Sequence, residues 1–211
     1  LMSRLFRYRF SSQEAEGGLN DHSFVNLFLT AMAGVTGDFA EAVRLTSEVL
    51  AIKGTIYPST TSNVSLRALL DDDSWIEGET RITADLRRIR RVELYPPDAH
   101  SLPKALDAIR EADIITMGPG SLYTSLIANL LPLEIVSAIR SSSARKIYVQ
   151  NIMTQPAETT DLTMGDHVQA ITDHTGHVLF PTVLVNALSP SKAILRKYME
   201  RKARPVEADE E

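Results

Sequence analysis

Cysteine is absent from the 211-residue chain, which excludes disulfides, thiolate metal sites and thiol catalysis. Apolar runs are short. None nears the roughly 18 consecutive residues a membrane helix requires, and no charged-then-apolar leader opens the chain. A Walker-type loop is missing, because no Gly-Lys-Ser/Thr follows any glycine turn. No G-x-G-x-x-G turn stands ahead of an acidic residue about 20 positions on, which argues against an NAD(P)-dependent oxidoreductase. Basic excess is lacking too: 22 Lys+Arg face 27 Asp+Glu, a net charge of −5, and a dedicated nucleic-acid binder would carry a basic domain. Hydrophobic residues make up 44% and charged residues 23%, the balance of an ordinary globular, cytoplasmic protein.

The length predicts one domain over residues 1–204, followed by a frayed acidic tail, 205–211. LMSRLFRYRF starts inside an apolar-periodic pattern with no cap before it, so an N-terminal portion is expected to precede Leu1. Phe24, Leu27, Phe28 and Ala31 mark one helix face, interrupted by Gly34 and Gly37; Asp38 then caps a second helix that Gly54 stops. Between residues 55 and 95 the pieces Thr55-Ile56-Tyr57, Val64-Ser65-Leu66, Trp75-Ile76 and 92–95 predict a small antiparallel β insertion. Its arginines Arg87, Arg88, Arg90 and Arg91 read as the solvated side of an element with Leu86 and Ile89 inside. From residue 102 helices alternate with buried strands at 113–117, 146–150 and 182–185. Such alternation predicts an α/β fold, a Rossmann-like parallel sheet with helices on both faces.

In open α/β sheets ligands gather beyond the carboxyl ends of the strands, and all three strands end in groups suited to binding. The first runs into Gly118-Pro119-Gly120-Ser121 and a helix carrying Tyr123 and Thr124. Two glycines permit close approach of a ligand, and the N–H groups of the next helix attract phosphate; Tyr123 would offer a stacking face. The same glycines also suit a tight turn with no ligand. The second strand ends in Asn151 and a polar loop with Thr154, Gln155 and Glu158, and the third ends in Asn186. His22 and Asn26, four apart at a helix start, form a further candidate pair. His167, His174 and His177 lack a carboxylate at a usual ligand spacing, so no metal site is assigned.

Five runs in order, HSFVNLFL, VLAIKGTIYP, GPGSLYTSLIANLL, NIMTQPAETTD and DHVQAI, resemble the gluconeogenesis factor (YvcK-like) family, related to the 2-phospho-L-lactate transferases. The resemblance spans essentially the whole chain. It implies a Rossmann-like fold binding a nucleotide-diphosphate ligand, a UDP-sugar in the YvcK-like branch, and a role in cell shape and peptidoglycan synthesis during gluconeogenic growth. It implies no secure reaction; the related branch is a transferase using magnesium held partly by a segment not seen here. Family members tend to have glycine where Asp21, Val25 and Ala157 stand. By motif position, Gly118, Gly120, Ser121, Tyr123 and Thr124 would lie beside the diphosphate or sugar. Asn151, Thr154, Gln155 and Glu158 would face them, with His22 and Asn26 closing the wall. No nucleic acid or membrane partner is implied, and self-association is left open.

Overall fold

The computed structural model describes residues 5, 8–10, 22–49 and 53–209. The chain divides into two compact units, residues 1–61 and 62–211, each described by itself.

The first unit holds two helices, α1 (Phe24–Thr36) and α2 (Phe39–Val49). Ser23 caps α1 by accepting from the Asn26 N–H at 3.1 Å, and Gly37 ends it at φ +70° with its N–H on the Ala33 carbonyl. Gly34 lies inside α1 rather than breaking it. Asp38 accepts from the Glu41 N–H at 2.7 Å and so caps α2. The expected strand at 55–57 does not form: β-branched residues favour strands only where a partner strand exists, and these have none.

The second unit contains two sheets. β1 (Ser65–Leu70) lies between β2 (Trp75–Glu77) and β3 (Ile89–Tyr95), antiparallel to both. The inner face of this sheet carries Ala68 and Leu70 from β1 and Val92 and Leu94 from β3. On the outer face, the Arg67 guanidinium sits 4.6 Å from the Trp75 ring and 4.7 Å from that of Tyr95, and pairs with Glu93. A short helix, α3 (Glu79–Ala84), interrupts the meander. The predicted inward Leu86 is exposed, because it stands in the turn ahead of β3, where Asp85 accepts from the Arg87 N–H; Ile89 alone turns inward.

α4 (Pro103–Glu111) leads into β4 (Ile114–Met117), the first strand of the parallel sheet. A π-helical turn (Leu122–Ile127), a 3-10 turn (Ala128–Leu130) and α5 (Ile135–Ser141) carry the chain to β5 (Arg145–Val149). α6 (Met164–Thr175) precedes β6 (Thr182–Leu184), and α7 (Lys192–Met199) follows. The strands run in chain order, β4-β5-β6, with β5 central. One apolar core joins the two sheets through Val92, Tyr123, Ile127, Tyr148, Ile171 and Phe180. No single helix among the described residues is long and apolar enough to cross a membrane.

The expected frayed tail is corrected. Residues 203–209 lie along the loop after β5: Thr154 N–H donates to the Arg204 carbonyl at 2.7 Å, and Val206 N–H to that of Ile152 at 3.0 Å. Asp209 then accepts from Gly165 N–H and the Thr163 hydroxyl at the start of α6. An acidic side chain is favoured at a helix N-terminus, and that contact holds the segment down.

Candidate functional site

β4 gives way to a turn that glycine alone can make. Gly118 has φ +93°, and a Cβ there would stand 2.5 Å from the Val149 carbonyl oxygen of β5. The turn therefore lies against the neighbouring strand. Asn151, just past β5, completes the contact like a strand partner: its Oδ1 accepts from Gly120 N–H at 3.0 Å and its Nδ2 donates to the Gly120 carbonyl at 2.8 Å. Gln155 Nε2 donates to Ser121 Oγ at 2.8 Å. The GPGS turn and the loop after β5 are thus locked together.

The next helix opens as a π-turn, with Leu126 N–H reaching back to the Ser121 carbonyl at 2.9 Å. Its N–H groups were expected to face phosphate. The amides of Tyr123 and Thr124 instead donate to Glu158 Oε2 at 3.0 and 3.2 Å, and the Thr124 hydroxyl donates to Oε1 at 2.6 Å. Glu158 is only 4% exposed. The protein's own carboxylate occupies the position that a helix N-terminus would otherwise offer an external anion. Neither the Tyr123 and Thr124 amides nor Glu158 are free for a ligand in this arrangement.

A cleft of about 640 Å³ opens over the carboxyl ends of the three parallel strands. Asn151, Thr154, Gln155 and Asn186 line it, joined by Pro119, Gln150, Leu184 and Tyr198. None of its lining residues is acidic or basic. Four amide side chains, with apolar surface around them, make a wall that can accept and donate hydrogen bonds without charge. Thr154 is tied on its outer side, its hydroxyl accepting from Arg204 N–H at 3.0 Å. Asn186 is exposed and bonds to its own turn at Leu188.

Gln150 is the residue that sequence reading missed. It is 7% exposed and lines the cleft, and its side-chain nitrogen lies 2.9 Å from His167 Nδ1. Whichever way the amide is turned, one polar atom meets His167 and the other has no partner among the described residues. The only signal in the sequence was a polar residue ending an apolar strand. Tyr198, reached from a helix far along the chain, left none.

Tyr123 is corrected as a stacking face. It is 6% exposed, belongs to the core, and meets the His174 ring edge-on at 5.8 Å. With Glu158 it borders a second cavity, not the cleft. His22 and Asn26 lie in the first unit, and their shared helix face is also corrected: His22 precedes the Ser23 cap, so only Asn26 is helical.

The histidines of α6 are structural. His174 Nε2 accepts from Val92 N–H at 3.0 Å while Nδ1 donates to the Ala170 carbonyl at 2.6 Å, which fixes a neutral ring. His167 is wholly buried, its Nδ1 3.0 Å from the Thr163 carbonyl. Burial pushes both imidazoles below their ordinary value.

The family described as 2-phospho-L-lactate transferase CofD matches residues 1–211. This chain belongs to the CofD family. It is 48% identical to a Nostoc sp. relative, covering 100% of this chain and 46% of that one. It is 42% identical to the gluconeogenesis factor of Bacillus subtilis, covering 99% and 65%. A crystal structure of a Bacillus halodurans protein matches with a TM-score of 0.90 and 42% identity, over 99% of this chain and 66% of that one. The chain therefore spans between about half and two thirds of the relatives it matches.

Proposed function

We propose that this CofD-family chain supplies the nucleotide-sugar-binding part of a gluconeogenesis factor, a cytoplasmic regulator of cell shape and peptidoglycan synthesis during gluconeogenic growth. The supporting observation is the uncharged, amide-lined cleft at the carboxyl ends of β4, β5 and β6. Asn151, Gln155, Asn186 and Gln150 suit the edge of a base or the hydroxyls of a sugar, and Tyr198 and Leu184 suit its apolar faces. A diphosphate finds no cation in the cleft wall, and the nearby helix N-terminus already holds Glu158. The ligand's neutral portion therefore belongs in this cleft, with its phosphates directed out of it.

A second reading, a magnesium-dependent phospholactate-type transferase, is favoured by the name of the matching family. Among the described residues no group of three His, Asp or Glu side chains is placed to hold a metal ion, so no step through magnesium is assigned to this chain. Isothermal titration of the whole protein with UDP-N-acetylglucosamine tests the first reading. Saturable heat, reduced at least tenfold in affinity by Gln155→Ala, is the expected result; no heat at millimolar ligand overturns it.

A further inference from the structure

A second cavity, of about 700 Å³, lies on the other side of the 155–159 turn from the cleft. Its size is within the range of small-molecule pockets. Asp71, Arg87 and Arg88 line it and belong to a cluster of charges on two turns of the antiparallel sheet: Asp71, Asp72 and Asp73 after β1, and Asp85, Arg87, Arg88 and Arg90 before and within β3. Almost all of these are committed to one another. Arg87 pairs with both Asp72 and Asp85, and Arg90 pairs with Asp73.

Two are left over. Asp71 and Arg88 form no side-chain hydrogen bond or ion pair among the described residues, and these two line the cavity. They are also neighbours, since Asp71 N–H donates to the Arg88 carbonyl at 3.0 Å. Both side chains are exposed, and no ion pair joins them. They border one space.

The other charged groups around that space are occupied. Glu158 caps the π-turn, Asp161 pairs with Arg204, and Asp166 completes the capping box with Thr163. Tyr123 borders the cavity; burial pushes its phenol above the ordinary value, and the Arg88 charge acts against that shift. Ile89, Ala157 and Leu162 add apolar wall.

We propose that this cavity binds a small zwitterion of the free α-amino-acid class, its carboxylate on Arg88 and its ammonium on Asp71. A simple anion is disfavoured, because four carboxylates border the space against two guanidinia. A simple cation would leave Arg88 unanswered. A molecule carrying both charges a few ångströms apart satisfies both groups, and Tyr123 can donate to the same carboxylate.

Isothermal titration of the whole protein with glycine, L-leucine, L-glutamate and L-lysine, separately, tests this, with acetate and n-butylamine as singly charged probes. At least one amino acid gives saturable heat, and neither singly charged probe does. Arg88→Gln and Asp71→Asn each weaken that binding by about tenfold or more. Both side chains are exposed and uncommitted, so the melting temperatures of the variants match the parent's, and UDP-N-acetylglucosamine titrates them as it does the parent. The proposal is overturned if no amino acid binds at millimolar concentration. It is equally overturned if either variant binds like the parent, or if acetate or n-butylamine binds as well as the amino acid.

Discussion

Glu158 offers the sharpest test of how this site is built. Its carboxylate accepts from two backbone amides and one hydroxyl at the start of the π-turn, 34 or 35 residues away, and is almost fully buried. Replacing it with alanine strands the Tyr123 and Thr124 amides, while the Thr124 hydroxyl can rotate to a new partner. A buried donor without an acceptor costs about 1–3 kcal/mol, so Glu158→Ala should lose roughly 2–6 kcal/mol. That is a large part of the roughly 5–15 kcal/mol stability of a typical domain. At about 2–4 °C per kcal/mol for a chain of this size, the melting temperature should fall by roughly 4–24 °C. Glutamine keeps one oxygen for the two amides and loses the charge that complements the helix terminus. Its cost should be about 1–2 kcal/mol. Thermal unfolding followed by circular dichroism reads both variants. Were both to melt within a degree of the parent while Glu158→Gln abolished nucleotide-sugar binding, the carboxylate would be a ligand group and the capping argument would be wrong.

Gly118→Ala forces a Cβ against the Val149 carbonyl at a left-handed φ; it should cost more than about 2 kcal/mol, seen as a lowered urea midpoint. Tyr123→Ala empties part of the core and should lose roughly 3–5 kcal/mol, whereas Gln155→Ala should lose under about 1.5 kcal/mol, so paired melting curves separate a packing residue from a cleft residue. The buried His167 and His174 bind protons less readily folded than unfolded. Their contribution to stability is therefore complete above the unfolded value of about 6.5 and is lost as pH falls below it toward the folded values. The melting temperature should drop from pH 7.5 to pH 5, and His174→Leu should flatten that slope while lowering stability at pH 7.5, where the Val92 N–H loses its acceptor.

The parallel sheet was legible in the sequence because β4, β5 and β6 are short β-branched or apolar runs stopped by glycine or asparagine. Ser23, Gly37, Thr163 and Gly176 carry local cap chemistry that the neighbouring residues alone determine. What escaped depends on distant partners. Glu158 looks like an exposed loop acid until its amides arrive from another segment. Asp209 looks like part of a frayed tail until Thr163 and Gly165, more than 40 residues earlier, meet it. The reverse error occurred at 55–57, where strand-forming residues have no strand to join. α3 spans six residues, too short for its periodicity to register. Candidate residues that share a motif were also divided by the fold: within QPAE, Gln155 faces the cleft and Glu158 the second cavity.

That division makes the position of the phosphates testable without a crystal. Gln155 and Glu158 belong to one tight turn, closed by Thr159 N–H on the Gln155 carbonyl at 2.8 Å. If a nucleotide sugar enters by its neutral end, Glu158 keeps its three donors. The amide resonances of Tyr123 and Thr124 should then scarcely move on titration, and their hydrogen-exchange protection should stay constant. The side-chain amides of Asn151, Gln155 and Gln150 should shift instead. If the diphosphate docked on the π-turn, it would first have to displace a buried carboxylate, and a second negative charge beside Glu158 would be repelled. The largest shifts would then fall on Tyr123 and Thr124, and Glu158→Gln would tighten binding by removing the competing charge. Tighter binding by that variant, with those two amides leading the response, would refute the assignment of the cleft to the uncharged part of the ligand.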